Sequence, residues 1–411
     1  MALTNARIPT DDELRWLTTR AVAEIIPHKE FVAALRSGRP LRLKMGFDPS
    51  ARDLTLGHAV GLRKLRQLQE LGHTVVLIVG DWTAQIGDPS GQSKTRPMLS
   101  AEEVKANAET YLAQFFRIVD RERTEVRWQS EWFDGFTLAD VVRLGAKFTV
   151  AQILEREDFA QRFAGHKPIG VHELFYPLLQ AYDSVAVKAD VEFGGTDQTF
   201  NLLVGRELQP HFDQPPQAVF TVPLLVGTDG SVKMSKSVGN YVAVADPPSE
   251  MYGKLMSIAD KLIVDYFELL TDTPDEEIAF IRKSIEQHAQ NPMEHKMRLA
   301  REIVAQFHNE DAARDAESGF VNVFRKGEAP SDITEIPVAF IDEVATLDLN
   351  EFLTSAGVVK SRSEARRLLA QGAIEADGIR VADPQLTVRP DTVIRIGKHR
   401  FLRIIDASAS P

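Results

Sequence analysis

Two lysines three residues apart, Lys233 and Lys236, stand in the run Val232-Lys233-Met234-Ser235-Lys236-Ser237-Val238-Gly239-Asn240, directly after the turn signal Thr228-Asp229-Gly230. Two ammonium groups on a small-residue loop could meet an anionic ligand. The same residues could equally be a solvated loop, so the pattern gains meaning only from the rest of the chain. Two Gly/Asp-rich segments, Gly46-Phe47-Asp48-Pro49-Ser50 and Gly80-Asp81-Trp82-Thr83-Ala84-Gln85-Ile86-Gly87-Asp88, each follow an apolar run, as does Gly194-Gly195-Thr196-Asp197-Gln198. Tyr176, Gln180 and Asp183 are spaced i, i+4 and i+7. On a helix of 3.6 residues per turn, a hydroxyl, an amide and a carboxylate then share one face. The neighbours Leu174, Phe175, Leu178, Leu179 and Tyr182 are apolar, so that polar stripe is expected to be enclosed and to require polar partners, which a polar ligand would supply.

The elements that would position these residues can be read from the hydrophobic pattern. Apolar runs over Leu41–Phe47, Thr74–Val79, Ser184–Lys188 and Ala218–Val226 read as strands separated by helical periodicity, the grammar of a parallel sheet with helices on both faces. Ligands of such sheets bind beyond the carboxyl ends of the strands, where the Gly/Asp segments fall. A helix is expected from Gly57, through Val60, Leu62, Leu65, Leu68 and Leu71; its free N–H groups and dipole favour anions. Neither lip matches GxxxxGK[ST] or GxGxxG, which disfavours an ordinary kinase or dehydrogenase.

Composition bounds the reading. A chain of 411 residues, 44% hydrophobic and 26% charged, is expected to form two or three globular domains. The absence of cysteine excludes disulfides, thiolate zinc sites and cysteine nucleophiles. No apolar run reaches membrane-spanning length and Met1–Trp16 has no hydrophobic signal region, so a soluble cytoplasmic protein is expected. The net charge of −11 argues against nucleic acid binding over the whole surface, yet the residues from Asp348 onward hold ten Lys+Arg against eight Asp+Glu. That contrast suggests an anionic partner for the tail, where Lys360, Arg362, Arg366 and Arg367 gather on or beside one helix. Two short helices, Leu349–Ala356 and Arg362–Gln371, are expected there, closed by Gly357 and Gly372 and followed by strands.

Taken in order, GFDPS…LGH, IGDPSG, the YxxxQxxD helix, GGTDQ, KMSKS and the basic tail resemble the tyrosyl-tRNA synthetases, class I aminoacyl-tRNA synthetases of the bacterial type with a C-terminal S4 RNA-binding module. The resemblance implies an α/β fold: a Rossmann-like parallel-sheet catalytic domain over 1–245, a helical anticodon-recognition domain over 246–325, a linker over 326–346 and a small α+β S4-like domain over 347–411. It implies activation of tyrosine with ATP, Mg²⁺ accompanying the nucleotide, transfer to tRNA(Tyr), and a homodimer. No carboxylate or histidine constellation suggests a fixed metal cage, so no metal ligands are expected.

Carried over by position, Tyr176, Gln180 and Asp88 fall to the tyrosine amino group, Asp183 to its phenol and Gln198 to the region of its carboxylate. Asp48 falls between amino group and phosphates, Asp197 and Gly195 at the ribose. Gly46, Ser50, Gly57, His58, Lys233, Met234, Ser235, Lys236 and Ser237 fall at the nucleotide, with Asp81 a further candidate at the pocket. The signature tetrad reads Thr55-Leu56-Gly57-His58, a threonine where the family usually has histidine, and Lys44 stands where some members place a tyrosine against the substrate hydroxyl. Alternatives remain a tryptophanyl enzyme, disfavoured by the YxxxQxxD helix and the tail; an RNA-binding protein without catalysis, to which Thr55 would point; and an adenylating enzyme without tRNA transfer, which the basic tail opposes.

Overall fold

The computed structural model describes residues 5–50, 53–89, 100–322, 334–397 and 400–407. They form two compact units, Met1–Glu310 and Asp311–Pro411. In the first, six strands, β1 (Glu24–Ile26), β2 (Arg42–Phe47), β3 (Thr74–Val79), β4 (Thr124–Trp128), β5 (Val191–Gly195) and β6 (Ala218–Val222), make one sheet in the order β1-β6-β5-β2-β3-β4. All neighbours are parallel except β1, which runs antiparallel on β6. The chain builds outward from β2 to β4 and then crosses back to lay β5 against the other side of β2. This reversal opens a crevice at the carboxyl ends of β2 and β5, where a doubly wound sheet takes its ligand.

The helix Leu56–Glu70 connects β2 to β3 and is buried at Leu56, Ala59, Val60, Leu62, Leu65 and Leu68. The helices Tyr176–Val187 and Thr199–Leu208 pack on one another on either side of β5 in sequence. Four further helices, Pro248–Met256, Ile263–Leu270, Asp275–Glu286 and Pro292–Phe307, follow β6 in this unit.

Three expectations need correction. Ser184–Lys188 is not a strand but the last turn of Tyr176–Val187, ended by Lys188 in the left-handed region (φ 51°). Ser184, Val185 and Val187 are buried, and a short apolar run looks alike in a buried helix and a buried strand. The strand follows instead at Val191–Gly195. Second, the sheet has strands beyond the apolar runs: β4 carries Glu125 and Arg127 on an edge where all five residues stay partly exposed, so it lacks the apolar signature of β2, β3 and β6. Third, the linker expected over 326–346 does not extend to 346. Thr334–Val338 is an edge strand parallel to Arg400–Asp406, and Ala345–Asp348 pairs with Gln385–Val388. Pro337 is tolerated because an edge strand can forgo its N–H. Most of the remaining linker residues, and Ser90-Gly91 of IGDPSG, lie outside the described residues.

In the second unit, Leu349–Ser355 and Arg362–Ala370 are the two expected helices, with Gly357 (φ 70°) and Gly372 (φ 64°) in the left-handed region after them. Leu349, Leu353, Val359, Ala365, Ile374, Ile394, Leu402 and Ile404 form its core. Lys360, Arg362, Arg366 and Arg367 are exposed, and Arg362 pairs with Glu351 at 2.8 Å.

Candidate active site

Asp48 follows β2 at the crevice, and both its oxygens are engaged. Thr83 Oγ1 donates to one at 2.7 Å and the Tyr176 hydroxyl to the other at 2.8 Å. Gly80 permits this approach: a Cβ there would stand 2.3 Å from Asp48 Oδ1 and 2.4 Å from Thr83 Oγ1. Burial and the charges of Asp48 and Asp88 push the Tyr176 phenol well above its ordinary pKa, so it remains a neutral donor. Gly46, by contrast, is exposed within an otherwise buried strand, so bare backbone faces the crevice at that point.

Asp88 accepts from Gln198 Nε2 at 2.7 Å and from Arg156 at 3.2 Å, and Gln198 in turn accepts from Asn201 at 2.9 Å. This links the lip after β3 to the short turn Thr196–Gln198 after β5. The polar stripe is enclosed as its neighbours require: Tyr176 and Asp183 are buried, and Gln180 Nε2 donates to Glu192 at 3.1 Å. Asp183 accepts from Gln129 Nε2 at 2.9 Å and from Trp132 Nε1 at 3.2 Å. Burial raises its pKa to about 7, against the lowering effect of the Lys44 charge and these hydrogen bonds. The Gln129 side-chain oxygen Oε1 also accepts from the Thr83 N–H at 2.9 Å, so one bonded chain runs Asp183–Gln129–Thr83–Asp48 through the floor of the site.

The lysine loop faces the same crevice. Lys233 pairs with Asp197 at 2.7 Å, and Lys236 donates to the Asp53 carbonyl at 2.9 Å and to the Tyr111 hydroxyl. Met234 is buried, with its N–H on the Leu225 carbonyl at 2.7 Å. Asn240 staples the loop, accepting from the Ser235 N–H at 2.8 Å and donating to Asp229 at 2.9 Å. Gly227 admits that amide, since a Cβ there would lie 2.2 Å from Asn240 Nδ2. Ser235 and Ser237 share a hydroxyl contact at 2.8 Å.

At the start of the helix Leu56–Glu70, the Thr55 N–H donates to His58 Nδ1 at 3.2 Å and Thr55 Oγ1 lies 2.9 Å from the same nitrogen. Loss of solvation and the nearby charges of Lys236 and Lys233 lower the His58 pKa to about 3, so the ring is neutral. A backbone N–H can only donate; Nδ1 is therefore the acceptor and the proton resides on Nε2. Thr55 thus orients a neutral N–H donor beside the lysine loop. Thr55→Ala is expected to lose the hydroxyl contact to His58 Nδ1, a hydrogen bond worth about 1 kcal/mol, and to lower the thermal midpoint by about 2–4 °C, which calorimetry would read; an unchanged midpoint would remove this orienting role.

The match to known proteins follows the same layout. The family described as tRNA synthetases class I (W and Y) matches residues 36–325, and the S4 domain matches 349–394. A tyrosine–tRNA ligase of Dehalococcoides mccartyi (strain CBDB1) is 58% identical over 396 residues, covering 96% of this chain and 99% of the relative. The Thermotoga maritima ligase is 51% identical over 397 residues, covering 96% and 98%. The chain belongs to the tyrosine–tRNA ligase family. A solved tyrosyl-tRNA synthetase of Archaeoglobus fulgidus superposes with a TM-score of 0.61 at 22% identity, covering 74% of this chain and 99% of that one, a likeness of fold.

Of the residues the resemblance implies, Asp48, Tyr176 and Asp183 are joined through Thr83 and Gln129, Asp88 is joined to Gln198 and Lys233 to Asp197, and the charges of Lys233 and Lys236 act on His58, while Gln180 turns to Glu192. Asp81 does not join them: its carboxylate accepts from the Ser130 N–H at 3.0 Å and serves the short helix Ser130–Phe133. Ser50 is exposed beyond β2, its N–H on the Asp48 carbonyl at 2.7 Å. Gly57 is not crowded, the nearest neighbour of a Cβ being Thr55 Oγ1 at 3.4 Å, and Gly195 would meet Asp197 and Leu224 at 2.7 Å. Gln129, Trp132, Arg156, Glu192 and Tyr111 contact these residues from outside the quoted segments, and Thr83 and Asn240 lie within them without a role of their own in the sequence reading. Gln129 has a usable signal, since it directly follows β4 at a strand's carboxyl end, but that strand is not legible from its residues.

Proposed function

We propose that the chain activates L-tyrosine with ATP and transfers it to the 3′-terminal ribose of tRNA(Tyr). In the first step a tyrosine carboxylate oxygen bonds to the α-phosphorus and the bond to pyrophosphate breaks; in the second the ribose hydroxyl attacks the acyl carbon and AMP leaves. The observation that carries this reading is the division of one crevice into two ends. One end holds a buried carboxylate, Asp183, facing inward from the helix. The other holds Asp48, Asp88 and the Tyr176 hydroxyl, the groups an ammonium would seek.

Gln180 joins this ammonium set and Gln198 lies toward the substrate carboxylate. Asp197 and Gly195 receive the ribose, which requires Lys233 to leave Asp197. Lys233 and Lys236, together with the Nε2–H of His58, then meet the phosphates as charge builds on the departing pyrophosphate. Ser50, Gly57, Met234, Ser235 and Ser237 shape that side. Little covalent work falls to the protein in such a displacement; positioning and charge stabilisation supply the rate. Mg²⁺ travels with ATP and adds charge neutralisation at the phosphates. Asp48, Asp88 and Asp197 already accept hydrogen bonds or ion pairs from the protein, a donor set suited to an ion that keeps mainly phosphate and water ligands.

We further assign the helices of 246–325 to the anticodon region and Lys360, Arg362, Arg366 and Arg367 to RNA phosphates, a shape-directed recognition. A homodimer is supported by the exposed apolar side chains Leu138, Val142, Val150, Phe163 and Val171, which fall within one stretch of the first unit. Among the described residues no helix is long and apolar enough to cross a membrane, and we place the activity in the cytoplasm, with its substrates.

ATP–pyrophosphate exchange with each standard amino acid tests the first step, and aminoacylation the second. Exchange is expected with tyrosine alone. Arg366→Ala with Arg367→Ala is expected to leave exchange intact while lowering tRNA affinity and flattening its salt dependence, by up to about one unit of slope for each phosphate no longer neutralised. Exchange supported by no amino acid would leave an RNA-binding protein as the reading.

A further inference from the structure

Beneath the closed end of the crevice lies a group of charges with no access to water. Lys44, on β2, is fully buried and pairs with Glu192 of β5 at 2.9 Å, both side chains being at most 1% exposed. The ammonium also donates to the Gln180 carbonyl and to Ser184 Oγ, each at 2.8 Å. Glu192 accepts from Gln180 at 3.1 Å, from Ser184 at 3.0 Å and from Gln217. Gln180 and Ser184 flank Asp183 on the helix Tyr176–Val187, one turn before it and the residue after it. The pair is therefore packed under the helix that presents Asp183.

The charge count of this group is informative. One cation and two carboxylates are removed from solvent together, leaving one net negative charge. Glu192 has the cation and three hydrogen-bond donors of its own. Asp183 is held by the neutral donors of Gln129 and Trp132 rather than by a cation in direct contact. The charged groups that face it are Lys44 from β2 and Glu192 from β5, with Arg127 behind the Trp132 ring, 5.8 Å from its centre. Burial and Glu192 disfavour its ionisation; Lys44 favours it. Removing the lysine would leave two buried carboxylates near one another, and one would take up a proton.

We propose that Lys44 is a specificity-setting positioning residue: its ammonium, held under the helix by Glu192, the Gln180 carbonyl and Ser184, favours the Asp183 carboxylate against burial and the Glu192 charge, so that this end of the site accepts only a ring bearing a hydrogen-bond donor. An ionised carboxylate offers acceptors alone, whereas a protonated one offers a donor and tolerates a wider range of ring substituents. The inference rests on the reading of this crevice as a tyrosine site.

The test is the pH dependence of kcat/KM for tyrosine in the exchange reaction, measured for the full chain and for Lys44→Met, Glu192→Gln and the double variant. The unsubstituted chain is expected to gain activity as pH rises through a midpoint near 7, as Asp183 ionises. Lys44→Met should move that midpoint up by about one unit or more, with about tenfold lower kcat/KM at neutral pH and weaker discrimination against phenylalanine. Glu192→Gln should move it down, and the double variant should return it toward its original position. A role confined to packing would not shift the midpoint in opposite directions. Midpoints that coincide, or move the same way, in variants that still show a cooperative thermal transition would overturn the proposal. If Lys44→Met does not fold, Glu192→Gln and the double variant still decide it. Absence of tyrosine-dependent exchange in the unsubstituted chain would instead overturn the tyrosine-site reading, and this inference with it.

Discussion

Lys236→Ala is expected to lower kcat of tyrosine-dependent pyrophosphate exchange by about 10²–10³-fold while leaving the KM for tyrosine nearly unchanged. The lysine rests on the Asp53 carbonyl and the Tyr111 hydroxyl, neither of which belongs to the tyrosine-facing set. Its binding energy is thus available to be used when negative charge develops on the pyrophosphate, and a loop stapled by Asn240 at one side is suited to such late engagement. Steady-state exchange kinetics, with both substrates varied, would separate the terms. A rise in the tyrosine KM with kcat intact would place Lys236 in ground-state binding and contradict this role. Removing the bond to Tyr111 is not expected to destabilise the fold greatly, because the lysine reaches it from a partly exposed loop.

Asp183→Asn is expected to lower kcat/KM for tyrosine by about 10–150-fold, the worth of a buried hydrogen bond to a charged group. It is also expected to stabilise the protein. The sign follows from linkage. The folded pKa of about 7 lies above the ordinary carboxylate value of 3.8, so the fold disfavours the ionised form. Stability from this group is therefore lost progressively as pH rises from about 4 to about 7, and the deficit is complete above that window, on the order of 4 kcal/mol at most. The amide removes that deficit but sets one N–H against the Gln129 and Trp132 donors, which offsets part of it, leaving a net gain of about 1–3 kcal/mol at pH 8. Denaturant unfolding at pH 8 and pH 5 reads this: the variant should exceed the unsubstituted chain at the higher pH and not at the lower. A variant destabilised at both would show that Asp183 holds the fold together more than it strains it, and would weaken the case for a residue kept for binding.

The arrangement around Asp183 also explains how a family site can be built without the tyrosine that some members use. The carboxylate is oriented by Gln129 and Trp132, the amide is anchored by Thr83, and Thr83 reaches Asp48 at the opposite end. The two carboxylates proposed to meet opposite ends of the substrate are therefore tied through the neutral side chains of Gln129 and Thr83. Thr55 illustrates a different substitution. In place of a second imidazole it offers a hydroxyl and an N–H to His58, which fixes the tautomer and leaves one donor available.

Much of this was determined by local sequence. Strands β2 and β3, the helix after Gly57, the YxxxQxxD stripe and the two tail helices each carry their own periodicity or capping residues, which act within a few residues of chain. The residues at the lips could be found because a parallel sheet places its ligand beyond the strand ends whatever the side chains are. Tertiary structure alone decided the rest. Whether Ser184–Lys188 was helix or strand depended on which buried surface it met, and β4 became a strand through pairing with β3 despite its charges. Thr334–Val338 became one through Arg400–Asp406, far along the chain. The same holds for Gln129, Trp132, Lys44 and Glu192. Their meaning lies in contacts across separate strands and a helix, and no spacing along the chain records that a lysine on β2 will be shut from water against a glutamate on β5.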